Sequence, residues 1–253
     1  MLKLLLKICY RGTAYSGYQV QNNAPTIQQK LNEASLAIFG TGCDITGCSR
    51  TDSGVHANEF CASVTFKKSD SFETKIPLEK IPLAFCAHLP DDISVREASW
   101  VDSDFHPRYD VKHKEYLYRI WNRPEKNPFI PDMCFHYPHF IDDEKLKAMN
   151  TAAEAFCGKH DFIAYMSKGG NELDTVRTVK YANVTRNGDF IEFKVAADGF
   201  LYNMVRIMTG TLIYVSEGKI SPREIPDITA SLDRKRAGFT APACGLFLNK
   251  VFY

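Results

Sequence analysis

The chain has 253 residues, of which 45% are hydrophobic and 24% are charged, a composition typical of soluble globular proteins. Its 31 Lys and Arg residues are balanced by 30 Asp and Glu residues, so the formal net charge is only +1. This balance excludes a strongly basic nucleic-acid binder and leaves only a local basic patch to hold RNA. The sequence has no apolar run near the ~18 residues that a membrane-spanning helix requires, and no membrane partner is expected.

The chain contains eight cysteines but no C-x-x-C pair. Lysines interrupt the apolar residues 1–8, which therefore do not resemble a secretory signal, and we expect reduced thiols in a cytoplasmic protein. Two pairs, Cys43 with Cys48 and His136 with His139, have a spacing that a metal could use. Neither pair has a second pair nearby, so the sequence predicts no metal site.

Hydrophobic periodicity predicts secondary structure along the whole chain. The clearest helix follows Thr26, a good N-cap, and the clearest turn is Asn187-Gly188, typical of a two-residue β-hairpin. In chain order, the predicted elements are a strand at 2–10, a helix at 27–39, a strand at 61–66, a helix at 77–85, strands at 93–98 and 116–121, a helix at 144–156, a hairpin at 181–195, a helix at 200–215 and a strand at 251–253.

This alternation of strands, helices and a hairpin indicates an α+β fold built from two halves. Asp, Pro and Ser residues accumulate near residues 103–112, where we expect the halves to join. The predicted domains are therefore 1–104, an N-terminal half, and 105–253, a C-terminal half.

The most informative segment is residues 47–57, Gly-Cys-Ser-Arg-Thr-Asp-Ser-Gly-Val-His-Ala. It places Arg50 two residues before Asp52 in a polar loop between a helix and a strand. A nearby positive charge favours the ionised form of an acid, so Arg50 can hold Asp52 as a carboxylate. Asp, Ser and Gly are also favoured in ordinary turns, and these residues alone do not decide between the two interpretations.

Three later segments stand out as candidate contributors to a site. Residues 114–119 place Tyr116 and Tyr118 on one strand face, residues 198–206 place Arg206 on a helix that follows a glycine, and residues 240–248 contain Leu246. Taken singly, these segments also fit a half-buried strand, an arginine on a solvated helix face and a terminal strand.

Together, these segments resemble the tRNA pseudouridine synthases of the A type, the TruA family. The family patterns are G-x-G-R-T-D-A-G-V-H-A, Y-x-Y, G-F-L-x-x-M-V-R and A-P-A-x-G-L-x-L-x-x-V-x-Y. The resemblance extends from Tyr10 to Tyr253, with the motifs in the same order. Cys48, Ser49 and Ser53 replace the small residues usual around the aspartate, which leaves the Arg-Thr-Asp core intact.

The resemblance implies the pseudouridine synthase fold. In that fold, two α/β halves share a central mixed, mainly antiparallel sheet, with helices on its outer faces and the active-site cleft between the halves. The N-terminal half carries the catalytic aspartate loop, and the C-terminal half carries the tyrosine and arginine motifs.

The resemblance also implies residue roles. Asp52 is the catalytic residue, and Arg50 holds the RNA backbone or fills the space left by a flipped nucleotide. Tyr116 stacks on the target base, as aromatic rings do for unstacked bases. Arg206 forms an ion pair with Asp52, and Leu246 is an apolar wall against the uracil.

The activity implied is isomerisation of uridine to pseudouridine at positions 38, 39 and 40 of the tRNA anticodon stem-loop. A homodimer is expected to grip the tRNA, with no cofactor and no metal. Two alternatives stay open: the same isomerisation on another RNA such as rRNA, and a non-catalytic tRNA-binding protein. A metal hydrolase using the histidines is the least favoured interpretation, and it requires activity that a chelator abolishes.

Overall fold

The computed structural model describes residues 2–67, 72–169 and 174–253. These residues form ten β-strands and five α-helices, and none of these helices has the length and apolar character needed to cross a bilayer. In chain order the elements are β1 Leu2–Tyr10, α1 Ile27–Phe39, β2 Cys43–Gly47, β3 His56–Phe66, α2 Ile81–Cys86, β4 Ile93–Asp102, β5 His113–Trp121, β6 Phe135–His136, α3 Asp143–Glu154, β7 Gly158–Asp161, β8 Val176–Asn187, β9 Phe190–Ala197, α4 Met204–Ser216, α5 Ile225–Ala230 and β10 Leu246–Phe252.

The predicted α+β class with a mixed, mainly antiparallel sheet is confirmed. Neighbouring strands such as β1 and β3, or β8 and β9, run antiparallel, whereas β5 and β6 run parallel. The chain divides into two compact units. The first contains the chain up to Lys112 together with Leu248–Tyr253, and the second is His113–Phe247.

In the first unit, β1 lies between β3 and β4 and pairs antiparallel with both. Leu4, Leu6 and Ile8 occupy one face of β1 at alternate positions and are fully buried, as the period of two in a strand requires. The short strand β2 pairs with β3 from Cys43 opposite Phe66 to Gly47 opposite Ala62. Strand β2 ends at Gly47, and the loop that contains Asp52 begins at the next residue.

Helix α1 has the bounds that its sequence predicts. The Thr26 hydroxyl accepts a hydrogen bond from the backbone N–H of Gln29, and Gly40 closes the helix in the left-handed conformation at φ 67°. Its buried residues include Ile27 and Leu31, one turn apart, and the helix packs against β2 and α2. The capping residues and the spacing of the apolar residues thus predict the same helix.

In the second unit, the strands lie in the order β5, β9, β8, β7, and all three neighbouring pairs are antiparallel. Strands β8 and β9 form the hairpin that Asn187-Gly188 predicts, with Asn187 opposite Phe190 and Gly188 at φ 58°. A β-branched or bulky residue at this φ would be strained, which explains the glycine.

Helix α4 begins four residues later than the prediction of 200–215. Asn203 has φ 61°, a left-handed conformation that does not fit within a right-handed α-helix. Helix α4 therefore starts at the next residue, Met204. Most of α4 is buried, and Gly210 allows the backbone of Phe239 to approach it closely. Loop residues around Phe239 thus pack directly on this internal helix.

Alkaline pH should weaken the second unit through Tyr165. Burial raises the pKa of its phenol to about 12, although a hydrogen bond with Thr229 opposes the shift. The folded state therefore keeps this proton better than the unfolded chain, whose tyrosines titrate near ~10. The resulting stabilisation is complete below pH ~10 and is lost as the pH rises through 12. We expect urea unfolding to show a steeper loss of stability above pH ~10 for the wild type than for Tyr165→Phe; parallel pH profiles would contradict this.

Candidate active site

The loop from Cys48 to Val55 connects β2 to β3 in the first unit. Its first residue is fixed to β3, because the Cys48 N–H donates to the carbonyl of Cys61 at 2.8 Å. Its second half is a tight turn in which the Val55 N–H donates to the carbonyl of Asp52 at 3.2 Å, with Gly54 at φ 77°. The loop is thus anchored on both sides of Asp52.

Thr51, directly before Asp52, is held by contacts of both its side chain and its backbone. It is only 7% exposed, its hydroxyl shares a 2.8 Å hydrogen bond with the Tyr10 hydroxyl, and its carbonyl accepts from the Tyr18 N–H. Gly17 makes the last contact possible, since a Cβ there would lie 2.5 Å from the Thr51 oxygen. The backbone at Asp52 is therefore positioned by the end of β1 and by the segment that follows this strand.

The same segment holds the far side of the Asp52 turn. The carbonyl of Tyr15 accepts from the Ser53 hydroxyl and from the Gly54 N–H, both at 3.3 Å. Tyr15 in turn donates its own hydroxyl to Asp92 at 2.6 Å, and burial, together with this hydrogen bond, raises the pKa of its phenol. Ser53, one of the departures from the family pattern, thus contributes a contact of its own.

His56 closes the loop onto the segment after β1. Its imidazole is fully buried, and its Nδ1 accepts a 3.0 Å hydrogen bond from the Gly12 N–H, 44 residues away in sequence. We expect His56→Leu to reduce the free energy of unfolding by ~1–3 kcal/mol, because it leaves a buried N–H without its acceptor.

Urea unfolding measures the effect of His56→Leu, with His56→Asn as the matched variant. An Asn side-chain oxygen can accept the same hydrogen bond, so this variant should recover part of the lost stability. Equal stability of wild type and His56→Leu would show that the Gly12 contact contributes nothing.

The side chains of the two predicted loop residues differ in exposure. The Asp52 side chain is half-buried, whereas Arg50 is exposed and lines a cleft together with Ser49 and Gly47. A half-buried carboxylate can be reached by a substrate while being partly shielded from water, which is the setting that acid–base and nucleophilic chemistry requires.

The other three predicted residues lie in the second unit. Tyr116 sits on β5 opposite Val195 of β9, is 7% exposed, and packs edge-on against Phe200 with ring centroids 4.9 Å apart. The structure thus brings the segment of residues 114–119 into contact with the segment of residues 198–206.

Arg206 lies in the first turns of α4, and its guanidinium is oriented by two contacts. Its Nε donates to the carbonyl of Ala241 at 2.6 Å, and its Nη1 donates to the Asn203 side-chain oxygen at 2.7 Å. Asn203 also donates to the Ser167 hydroxyl at 3.0 Å. Sequence reasoning missed Asn203, although an Asn just before a helix is a recognisable candidate for a left-handed turn.

The C-terminal motif packs on the same part of the second unit. Tyr118 is fully buried and donates its hydroxyl to the carbonyl of Pro242 at 2.7 Å, and burial raises the pKa of this phenol. Gly245 is required beside it, because a Cβ there would lie 2.6 Å from the Tyr118 ring. Leu246 follows directly and is 6% exposed. The segments of residues 114–119, 198–206 and 240–248 therefore contact one another in the second unit.

Comparison with known proteins agrees with these motifs. The sequence model of a family described as tRNA pseudouridine synthase matches residues 152–253. The protein named tRNA pseudouridine synthase A from Thermoanaerobacter sp. (strain X514) is 43% identical over 253 residues, covering 100% of both chains. Its namesake from Ruminiclostridium cellulolyticum is 42% identical over 254 residues, again covering 100% of both chains.

A solved structure titled "Crystal Structure of a Cbf5-Nop10-Gar1 Complex" contains a chain that aligns with 96% of the present one. The identity is 11% and the TM-score is 0.35, and the alignment spans 57% of that chain. This likeness is too weak to add to the assignment. Full-length identity above 40% to proteins that share one name is sufficient by itself: the chain belongs to the tRNA pseudouridine synthase A family.

Proposed function

We propose that this protein isomerises uridine to pseudouridine at positions 38, 39 and 40 of the tRNA anticodon stem-loop, with Asp52 as the catalytic residue. The observation that carries the proposal is the way the Asp52 loop is held. Backbone and side-chain contacts from Tyr10, Tyr15 and Tyr18 fix the residues on both sides of a half-buried carboxylate. A fixed carboxylate is pre-organised for attack or proton transfer.

The reaction rearranges bonds without net oxidation or reduction. The bond between N1 of uracil and C1′ of ribose breaks, the base rotates, a bond forms between C5 and C1′, and the proton on C5 leaves while N1 gains one. Asp52 acts in its ionised form, either as a nucleophile at C1′ or as a base at C2′. An isomerisation of this kind consumes no oxidant and no nucleotide, and we expect it to proceed without a cofactor or metal.

The other site residues have proposed roles in holding the substrate. Arg50, exposed within the loop, binds the RNA backbone or fills the space left by the flipped nucleotide. Tyr116 stacks on the target base and Leu246 packs against the uracil. Arg206 pairs with Asp52, since a carboxylate removed from water without a partner costs several kcal/mol. The last three roles rest on the family resemblance.

We also propose a cytoplasmic homodimer in which two subunits grip one tRNA. The charge balance supports this proposal. A chain with a formal net charge of +1 offers RNA only a local basic surface, and a dimer offers two such surfaces.

Tritium release tests which RNA is the substrate. Unmodified RNA labelled at C5 of its uridines loses tritium to water whenever a C5–C1′ bond forms. We expect release from a tRNA transcript with uridine at positions 38, 39 and 40, little from the same transcript with cytidine there, and little from an rRNA fragment. Release from rRNA alone would favour the other-RNA alternative, and tight tRNA binding without any release would favour a non-catalytic binding protein.

A further inference from the structure

A cleft of about 190 Å³ opens beside the Asp52 loop, entirely within the first unit. Its lining includes residues of the loop and of β2, and residues of the turn that follows β4. The lining residues are Tyr18, Gln19, Gln28, Ile45, Thr46, Gly47, Ser49, Arg50, His106, Arg108 and Tyr109.

The cleft has a cationic lining in a chain that is almost neutral overall. Arg50 and Arg108 both contribute to it, and the lining residues include no Asp or Glu. A guanidinium binds a phosphate group through paired N–H donors, and two guanidinium groups in one lining favour an anionic ligand. The cleft therefore offers a local cationic surface in a chain with a formal net charge of only +1.

The turn of residues 105–110 presents an exposed aromatic ring. Tyr109 is 76% exposed, and its ring lies against the His106 ring with centroids 4.2 Å apart at an angle of 31°. An exposed tyrosine supported from behind by a second ring offers a free face on which a base can stack.

The backbone of this turn is held by hydrogen bonds despite its exposure. The His106 Nδ1 accepts from the backbone N–H groups of Arg108 and Tyr109 at 3.1 and 3.3 Å, and the backbone N–H of His106 donates to the Asp110 carboxylate at 2.8 Å. The hydroxyl of Tyr253 also donates to the carbonyl of Pro107 at 2.8 Å. The backbone that carries Tyr109 is thus held before any ligand arrives, which reduces the entropy lost on binding.

The size of the cleft indicates what it holds. It is smaller than the ~300–1,000 Å³ typical of sites for drug-sized molecules, so a complete cofactor does not fit. One exposed ring plus two guanidinium groups beside an open, shallow cleft is instead the combination by which proteins hold single-stranded nucleic acid.

We propose that this cleft binds a nucleotide next to the target uridine, with its base stacked on Tyr109 and its phosphates held by Arg50 and Arg108. The inference rests on the proposed function, since it places a second nucleotide of the same RNA beside Asp52. Extruding the target uridine from its stack unstacks its neighbour as well, and Tyr109 supplies that neighbour with a replacement surface.

The test measures binding of a fluorescent, unmodified tRNA anticodon stem-loop to the full-length protein by anisotropy, at several salt concentrations. Tyr109→Ala should weaken binding by ~5- to 100-fold, the effect of losing one base–aromatic stack. Tyr109→Phe keeps the ring and should restore most of the affinity. Arg108→Gln should weaken binding and reduce the slope of log affinity against log salt by about 1.

Arg96→Gln is the matched control, because Arg96 is an exposed arginine on β4 of the same unit that does not line the cleft. Wild-type affinity for Tyr109→Ala, or equal salt slopes for Arg108→Gln and Arg96→Gln, would overturn the inference. Wild-type protein that binds the stem-loop but forms no pseudouridine would overturn the proposed function alone. Wild-type protein that does not bind it would overturn both.

Discussion

Replacing Asp52 with Asn should lower the single-turnover rate of pseudouridine formation by at least ~10²–10⁴-fold, the contribution that a positioned acid or base makes. The amide has nearly the same shape as the carboxylate but can neither attack C1′ nor accept a proton from C2′. The contacts described for the loop come from the backbone of Thr51, Asp52 and Gly54 and from the hydroxyls of Thr51 and Ser53, and the substitution leaves these atoms unchanged. We therefore expect the folded structure and the affinity for tRNA to be retained.

The matched control is Asp44→Asn. Asp44 is an exposed residue on β2, a few residues before the loop, and its substitution removes the same charge from the same unit. Rates are compared with enzyme in excess over a tritium-labelled tRNA, which isolates the chemical step from product release. An Asp52→Asn enzyme as fast as Asp44→Asn would remove Asp52 from the reaction.

Gly12→Ala should both destabilise the first unit and slow the reaction. A Cβ on residue 12 would lie 2.7 Å from the carbonyl carbon of Val55 and closer still to its oxygen, so the turn after Asp52 must move. Overpacking of this kind costs ~1–3 kcal/mol of stability. A shift of ~1 Å in a catalytic group costs about 10²-fold in rate, and we expect a loss of that order.

Gly42→Ala is the control for Gly12→Ala. At position 42 the nearest atom to an added Cβ is the flexible side chain of Lys67, at 3.3 Å, which can turn away. This variant should keep its stability to within ~0.5 kcal/mol and its full activity. Urea unfolding and single-turnover rates report the two effects separately, and wild-type behaviour of Gly12→Ala in both would show that the close approach to Val55 is not needed.

The sequence predicted best where a structural signal is local. The cap at Thr26 and the left-handed Gly40 determine the ends of α1 within the helix itself, and Asn187-Gly188 specifies its hairpin. The predicted start of α4 at residue 200 is wrong because Asn203 is left-handed, and its side chain donates to Ser167, outside the helix. Strand β2 was missed because it has only five residues and pairs along one edge with β3.

The candidate site shows the same division between local and distant signals. Asp52 and Arg50 could be selected from a motif, since both lie in one short segment. The contacts that fix this segment could not, because His56 and Gly12 are 44 residues apart and Tyr10 and Thr51 are 41 apart. The cleft was missed for the same reason: His106 and Tyr109 resemble an ordinary turn until the fold brings them into one cleft with Arg50.

Nucleotide-resolution mapping of pseudouridine tests the central claim most directly. An unmodified tRNA transcript is incubated with the wild type and with Asp52→Asn, and each uridine is then scored for conversion. We predict pseudouridine at positions 38, 39 or 40 with the wild type and none with Asp52→Asn. Conversion elsewhere in the transcript, or equal conversion by both proteins, would contradict the account.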